Sequence, residues 1–157
     1  MTDSTQQQKQ AQVFPLETAR APVANKQQGE LRNFVFLLQE NFSMMALTSA
    51  LDALRTANLL SEEDLYTFRL VSLDGLAVCS DLGFAAMADQ AITELRLDDM
   101  DAFVVCGGLR TELQAAPALV KFLRQSGVRK KVLGSLWNGM FALAQAGVVD
   151  GKSCAVH

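Results

Sequence analysis

Two stretches, DAFVVCGG (101–108) and KVLGSLWNG (131–139), set the tightest limit on what this chain can fold into. Each is an apolar run too short for a helix, and each is stopped by glycine. Each then leads into helical spacing, PALVKFLRQSG (117–127) after the first and GMFALAQAG (139–147) after the second. Strands that hand over to helices are the units of a parallel sheet, because parallel neighbours need a crossover connection. Both runs lack the polar alternation of a strand with one wet face, which predicts strands covered on both sides.

The same logic extends toward the N-terminus. NFVFLLQ (33–39) is a third continuous apolar run. Met44, Leu47, Leu51, Leu54 and Asn58 then recur at helical steps, with Asn41 or Ser43 as N-cap. YTFRLVSLDG (66–75) reads as a strand ending in an Asp-Gly turn. Residues 76–95 read as a short strand pair around Cys79 and Phe84–Met87, followed by a helical turn at Ile92–Leu95. In the second helix Pro117 takes a first-turn position and Gly127 is expected beyond its end, while Gly147 closes the third. DGKSCAVH (150–157) predicts a turn and the start of another strand. The fold class is therefore α/β, an open, mostly parallel sheet with helices on both faces, flavodoxin-like.

Residues 1–31 carry Gln, Ala, Thr and Lys without hydrophobic periodicity and are expected to form a disordered polar tail. The remaining 32–157 suffice for one domain, since half of the 157 residues are hydrophobic. A formal charge of −3 gives no electrostatic footprint for nucleic acid. The one basic run, Arg129–Lys131, reads as a solvated helix exit. Cys79, Cys106 and Cys154 show no metal-ligand spacing and are expected reduced and mostly buried. Neither a membrane-length apolar run nor a signal-peptide core is visible, so the expected location is cytoplasmic.

In a parallel sheet, ligands sit beyond the carboxyl ends of the strands. Three segments converge there, QENFSMM (39–45), CGGLR (106–110) and SLWNG (135–139). Gly107 and Gly108 either bring backbone amides close to an anion or simply make a tight strand exit. Arg110 either clamps a carboxylate or lies on the surface. The G-x-G-x-x-G spacing of a dinucleotide site is absent, and no cofactor is expected. Asp52 and Arg55 can pair along one helix face as a structural pair. His157 is the sole histidine.

Taken together, FVFLLQENFSMMALTSALDALRTANLL, YTFRLVSLDG, DAFVVCGGLR and SLWNGMFALAQAGVVDGKSCAVH resemble the class I glutamine amidotransferase-like fold in its ThiJ/PfpI branch. Closer still, they resemble the N-terminal domain of the GlxA-type regulators of the AraC family. The elbow, LAQAG, DG and a following H form the most specific marker, and FSMM followed by RTAN is a second. In catalytic members of that fold the elbow carries a cysteine, an acidic side chain supports it, and a histidine follows on the next strand. The resemblance places those roles at Trp137, Ala46 and His157. Nucleophile and acid are thus both missing, and glutaminase, peptidase or glyoxalase chemistry needs a thiolate. Shifting the elbow by one residue offers only Leu136 or Asn138. Ser135 and Cys106 have no base assigned to them.

The resemblance implies a non-catalytic, effector-sensing and dimerising domain with no resident metal. Its expected pocket comprises Met45, Ala46, Gly107, Gly108, Leu109, Arg110, Trp137, Asn138 and His157. Regulators of this type include sensors of amino acids and of quaternary amines such as betaine and carnitine. The Trp137 face suits a trimethylammonium group, a contact worth roughly 0.5–2 kcal/mol. Arg110 or the Gly107–Gly108 amides would hold a carboxylate at the other end. Two alternatives stay open: a pocket that Trp137 fills, leaving only dimerisation, and a free-standing ThiJ/PfpI-type hydrolase or amidotransferase. The chain is also expected to stop short of the sensor domain's last elements. DNA would be bound only through a C-terminal domain beyond these residues.

Overall fold

The computed structural model describes residues 32–61 and 64–155. The expected polar tail (1–31) and His157 lie outside that range.

In chain order the elements are β1 (Arg32–Leu38), α1 (Met44–Ser61), β2 (Tyr66–Ser72), β3 (Val78–Cys79), β4 (Ala85–Ala86), β5 (Gln90–Ala91), β6 (Ala102–Cys106), α2 (Pro117–Val128), β7 (Val132–Leu136) and α3 (Met140–Gln145). Single 3₁₀ turns sit at Ile92–Glu94, Leu97–Asp99 and Trp137–Gly139. Five strands pair in parallel in the order β5-β2-β1-β6-β7, and β3 and β4 form a separate antiparallel hairpin. The four long strands follow the flavodoxin order, so the chain reverses direction across the sheet between β1 and β6.

Strand alternation sorts the core into two layers. Val35, Leu37, Phe103 and Val105 face Leu119, Phe122 and Leu123 of α2 and Ala142 and Leu143 of α3. Phe36, Leu38 and Cys106 face the other way, onto Leu47, Leu51 and Leu54 of α1. Apolar side chains at both parities are what a doubly covered sheet requires, and helices do cover both faces.

The structure departs from the sequence reading at several ends. β7 is one of the two edge strands among the described residues, and Val132 is 66 % exposed rather than buried. Gly127 lies inside α2, not beyond it. A Cβ there would sit 3.0 Å from Val148 Cγ1, so the glycine serves packing against the segment after α3. The helix stops instead at Lys130, whose φ is +56°. The Lys131 amide donates to Ser126 O (3.0 Å) and the Lys130 amide to Gly127 O (3.0 Å), a Schellman closure. The basic run is thus a helix exit, with Arg129 reaching Asp98 (3.3 Å) and Lys131 Nζ donating to Met100 O (2.7 Å). Residues 153–155 form no strand. Asn58 does not pack as a core position. Its Oδ1 accepts from the Leu65 and Tyr66 amides (both 3.0 Å), which ties the end of α1 to the start of β2. Asp52 and Arg55 pair at 2.9 Å on the exposed face of α1.

Candidate functional site

The carboxyl ends of β1, β6 and β7 do bring the three segments together, and backbone groups hold them there. The Ser43 amide donates to Gly107 O (2.9 Å) and the Gly107 amide to Leu136 O (3.1 Å). Thr111, buried, bridges the first two loops: its Oγ1 donates to Glu40 O (2.9 Å) and accepts from the Gly108 amide (2.8 Å). Asn138 Nδ2 lies 3.5 Å from Thr111 O and links the elbow to the same loop. The glycines are needed for proximity. A Cβ on Gly107 would lie 2.7 Å from Gly139 N, and one on Gly108 would lie 2.7 Å from Ser43 N while overlapping the Asn41 carbonyl oxygen.

This tight contact changes the reading of the glycine pair. Both of its amides are committed to acceptors within the chain, so the donor role expected for them is taken internally. The glycines act as a strand exit that lets two loops touch. The crevice between β1 and β6 is closed by that contact, and the open cleft lies beside it.

That cleft measures about 620 Å³ and is walled by the exits of β1 (Leu38–Asn41) and β2 (Ser72–Asp74), by Arg110–Glu112, and by the start of α2. Arg110 is the member of the expected pocket, besides the loop backbone around it, that reaches this cleft. Its guanidinium donates to Asp81 O (3.2 Å), and Asn41 Nδ2 lies 3.5 Å from its carbonyl. The carboxylates of Glu40 and Glu112 also line the cleft and have no partner among the described residues. Asp74 stands at its rim. The Leu76 amide, and then the Ser72 hydroxyl, hold its carboxyl below the usual carboxylate range.

Met45, Ala46, Gly107, Gly108, Leu109, Trp137 and Asn138 lie around these loops but do not wall the cleft. Trp137 is half-buried at the apex of the elbow, with φ at +52°. An L-residue in that left-handed conformation costs roughly 1–2 kcal/mol, and such strain collects at functional turns. The sharp elbow therefore carries an indole at its apex. Among the described residues Asn138 Oδ1 is buried there without a hydrogen-bond partner.

Two features of the site were not legible in the sequence. Ser43 caps α1 as expected, its Oγ accepting from the Ala46 amide at a long 3.4 Å, whereas Asn41 is itself left-handed (φ +59°). A second cap comes from a distant side chain. The Asp81 carboxylate accepts from the Met44 amide at 3.1 Å, bringing a negative charge to a helix with no acidic residue in its first turn. Thr111 is the other. Both act across long sequence separations, and only the S-D-L-G turn composition at 80–83 hints at either.

The cysteines are free, and only Cys106 is buried, whereas Cys154 is exposed and Cys79 intermediate. Burial pushes the Cys106 thiol far up, so it holds no thiolate near neutral pH. Iodoacetamide should accordingly modify Cys154 first and leave Cys106 untouched until denaturant is added. Peptide mapping of the alkylated chain reads this directly, and rapid native modification of Cys106 would contradict the burial. Among the described residues no His, Cys, Asp and Glu cluster suits a metal, and no helix is long and apolar enough to cross a membrane.

Comparison with known proteins places this geometry in context. The DJ-1/PfpI family profile matches residues 32–157. The HTH-type transcriptional regulator GbdR of Pseudomonas aeruginosa is 34% identical over 140 residues, covering 89% of this chain and 38% of that protein. The HTH-type transcriptional regulator CdhR of the same species is 36% identical over 126 residues, 80% of this chain and 37% of CdhR. The chain thus spans under two-fifths of the length of these relatives. A crystal structure of an AraC family transcriptional regulator from Pseudomonas putida superposes with a TM-score of 0.73 at 42% identity, covering 80% of this chain and 66% of that one. A ThiJ/PfpI domain protein from Brachyspira murdochii shares the fold at 16% identity, with a TM-score of 0.70 over 82% of this chain and 71% of its own.

Proposed function

This chain belongs to the DJ-1/PfpI family, and from that premise we propose that residues 32–157 are the non-catalytic, effector-sensing domain of a GlxA-type, AraC-family transcriptional regulator. The observation that carries the reading is the elbow. It keeps its left-handed apex but presents Trp137, which has no nucleophilic atom. Ala46 takes the place of the supporting acid, and Cys106, the nearby thiol, is held protonated by burial. The regulator relatives support the same assignment. Contact with DNA falls to another domain of the regulator, the domain pairs with a second copy, and the protein works in the cytoplasm.

The effector is a small zwitterion, an amino acid or a quaternary amine that carries a carboxylate. Arg110 receives the carboxylate in the cleft at the carboxyl end of the sheet, and the Glu40 and Glu112 carboxylates, without partners among the described residues, face the cationic end. Trp137, expected to meet the ammonium group, stands on the elbow beside this cleft and not in its wall, so the acidic side chains take the cationic end in its place.

Calorimetric titration with betaine, carnitine and arginine tests the reading. At least one should give saturable heat, and Arg110→Ala should weaken it about 10- to 100-fold, the loss expected for a charge-assisted hydrogen bond of about 1.5–3 kcal/mol. Heats equal to dilution for all three would sink the effector class.

A further inference from the structure

We propose that Asp81 relays occupancy of the cleft to the first turn of α1. The proposal rests on the sensing reading above and says how a filled cleft is felt outside it. Asp81 follows β3 and joins three segments through three different groups. Its amide donates to Phe42 O (2.9 Å), its carboxylate accepts from the Met44 amide (3.1 Å), and its carbonyl accepts from Arg110 Nη2 (3.2 Å). The side chain assigned to the ligand thus holds Asp81 by its backbone, and Asp81 in turn holds the helix by its side chain.

These bonds differ in how easily they are exchanged. The bond to Phe42 belongs to a braced turn. There the Gly83 amide donates to Ser80 O (3.1 Å) and the Ser80 amide to Phe84 O (2.9 Å), and Phe42 and Ser80 form a β-bridge. The Arg110 bond is exposed and runs to a neutral carbonyl, the weaker kind of acceptor for a guanidinium. A ligand carboxylate is the stronger kind, and either bidentate grip on it draws on Nη2, the nitrogen that holds Asp81. Ligand and Asp81 carbonyl therefore compete for one group. β3 also walls the cleft through Val78, so ligand, guanidinium and hairpin meet in one corner.

The far end of the relay depends on Asp81. The first turn of α1 has no acidic residue of its own, and Ser43 Oγ reaches the Ala46 amide only at 3.4 Å. Asp81 brings both the acceptor for Met44 and a negative charge to the positive end of the helix. Its carbonyl and its carboxylate share one Cα, so freeing the first loosens the hold of the second. An empty cleft keeps the helix start capped and an occupied one slackens it. A contact that differs between the two states is what couples one place to another.

Amide hydrogen exchange of the 157-residue chain, read by NMR at Met44, tests the relay. Without ligand, Arg110→Ala should speed exchange of that amide roughly 3- to 10-fold, the scale of one lost hydrogen bond, with unchanged circular dichroism. Arg129→Ala, which removes the same charge from an exposed pair at the end of α2, should leave it unchanged. Asp81→Ala should speed it at least as much as Arg110→Ala, and the double variant should match Asp81→Ala alone. Whichever of betaine, carnitine and arginine gives saturable heat should speed Met44 exchange in wild type as Arg110→Ala does. A Met44 amide indifferent to Arg110→Ala overturns the relay, as do effects of the two substitutions that simply add. Ligand heat with Met44 unmoved also overturns it and leaves sensing intact. Absence of heat from all three ligands refutes the sensing reading, while a Met44 response to Arg110→Ala still upholds the joint from Arg110 through Asp81 to the helix.

Discussion

Gly108→Ala should destabilise this domain by at least about 3 kcal/mol, near the top of the range for overpacking and a large part of the 5–15 kcal/mol that holds a domain folded. The cause is local and has no soft escape. The added Cβ would overlap the Asn41 carbonyl oxygen and stand 2.7 Å from Ser43 N and 2.9 Å from Phe42 C, all of them backbone. To make room, the β1 and β6 exits must separate, and that breaks the Ser43–Gly107 hydrogen bond and strains the Thr111 bridge. Urea denaturation reads the loss as a lower midpoint with a similar slope. The same variant should lose effector heat, because Arg110 rides on the displaced loop. A stability within 1 kcal/mol of wild type would mean the two loops are not in contact.

Phe103→Ala should cost about 3–5 kcal/mol through transfer and cavity terms. Phe103 is fully buried in the central region of the sheet, and its ring lies 4.8 Å from that of Phe122 on α2. Neighbours on three elements frame the gap, since β1 and β7 flank β6 in the sheet. Partial collapse therefore does not refill it, and Phe103→Leu, which keeps most of the volume, should recover much of the loss. Equal destabilisation by Ala and Leu would point to the ring contact rather than the cavity.

Much of this was legible in the residues. The apolar runs at 33–39 and 101–106 announced the two central strands, covered on both faces, and the run at 132–136 announced a third that proves to be a half-buried edge strand. That Arg110, Gly107–Gly108 and the Trp137 elbow converge follows from parallel topology, which puts every strand exit at one edge. What stayed hidden depends on register and distance rather than on local pattern. The Asp81 cap crosses 37 residues and the Thr111 bridge to Glu40 crosses 71. Glycine spacing alone does not reveal that the Gly107 and Gly108 amides are already satisfied, because their acceptors come from another strand and from a side chain folded back on its own loop. Gly127 misled for a related reason: a glycine in a last turn reads as a stop, and here it makes room for Val148 while Lys130 takes the left-handed position. Nothing local in the sequence marks Glu40 and Glu112 as walls of the cleft.

The central claim is that this end of the sheet binds a ligand instead of reacting with one. An amide-resolved NMR titration of the chain with betaine, carnitine and arginine tests it most directly. The account predicts saturable shifts, for at least one of them, concentrated at Glu40, Asn41, Arg110, Thr111 and Glu112, with the ligand chemically unchanged afterwards. Shifts confined to other parts of the fold, or conversion of the ligand to a product, would contradict it.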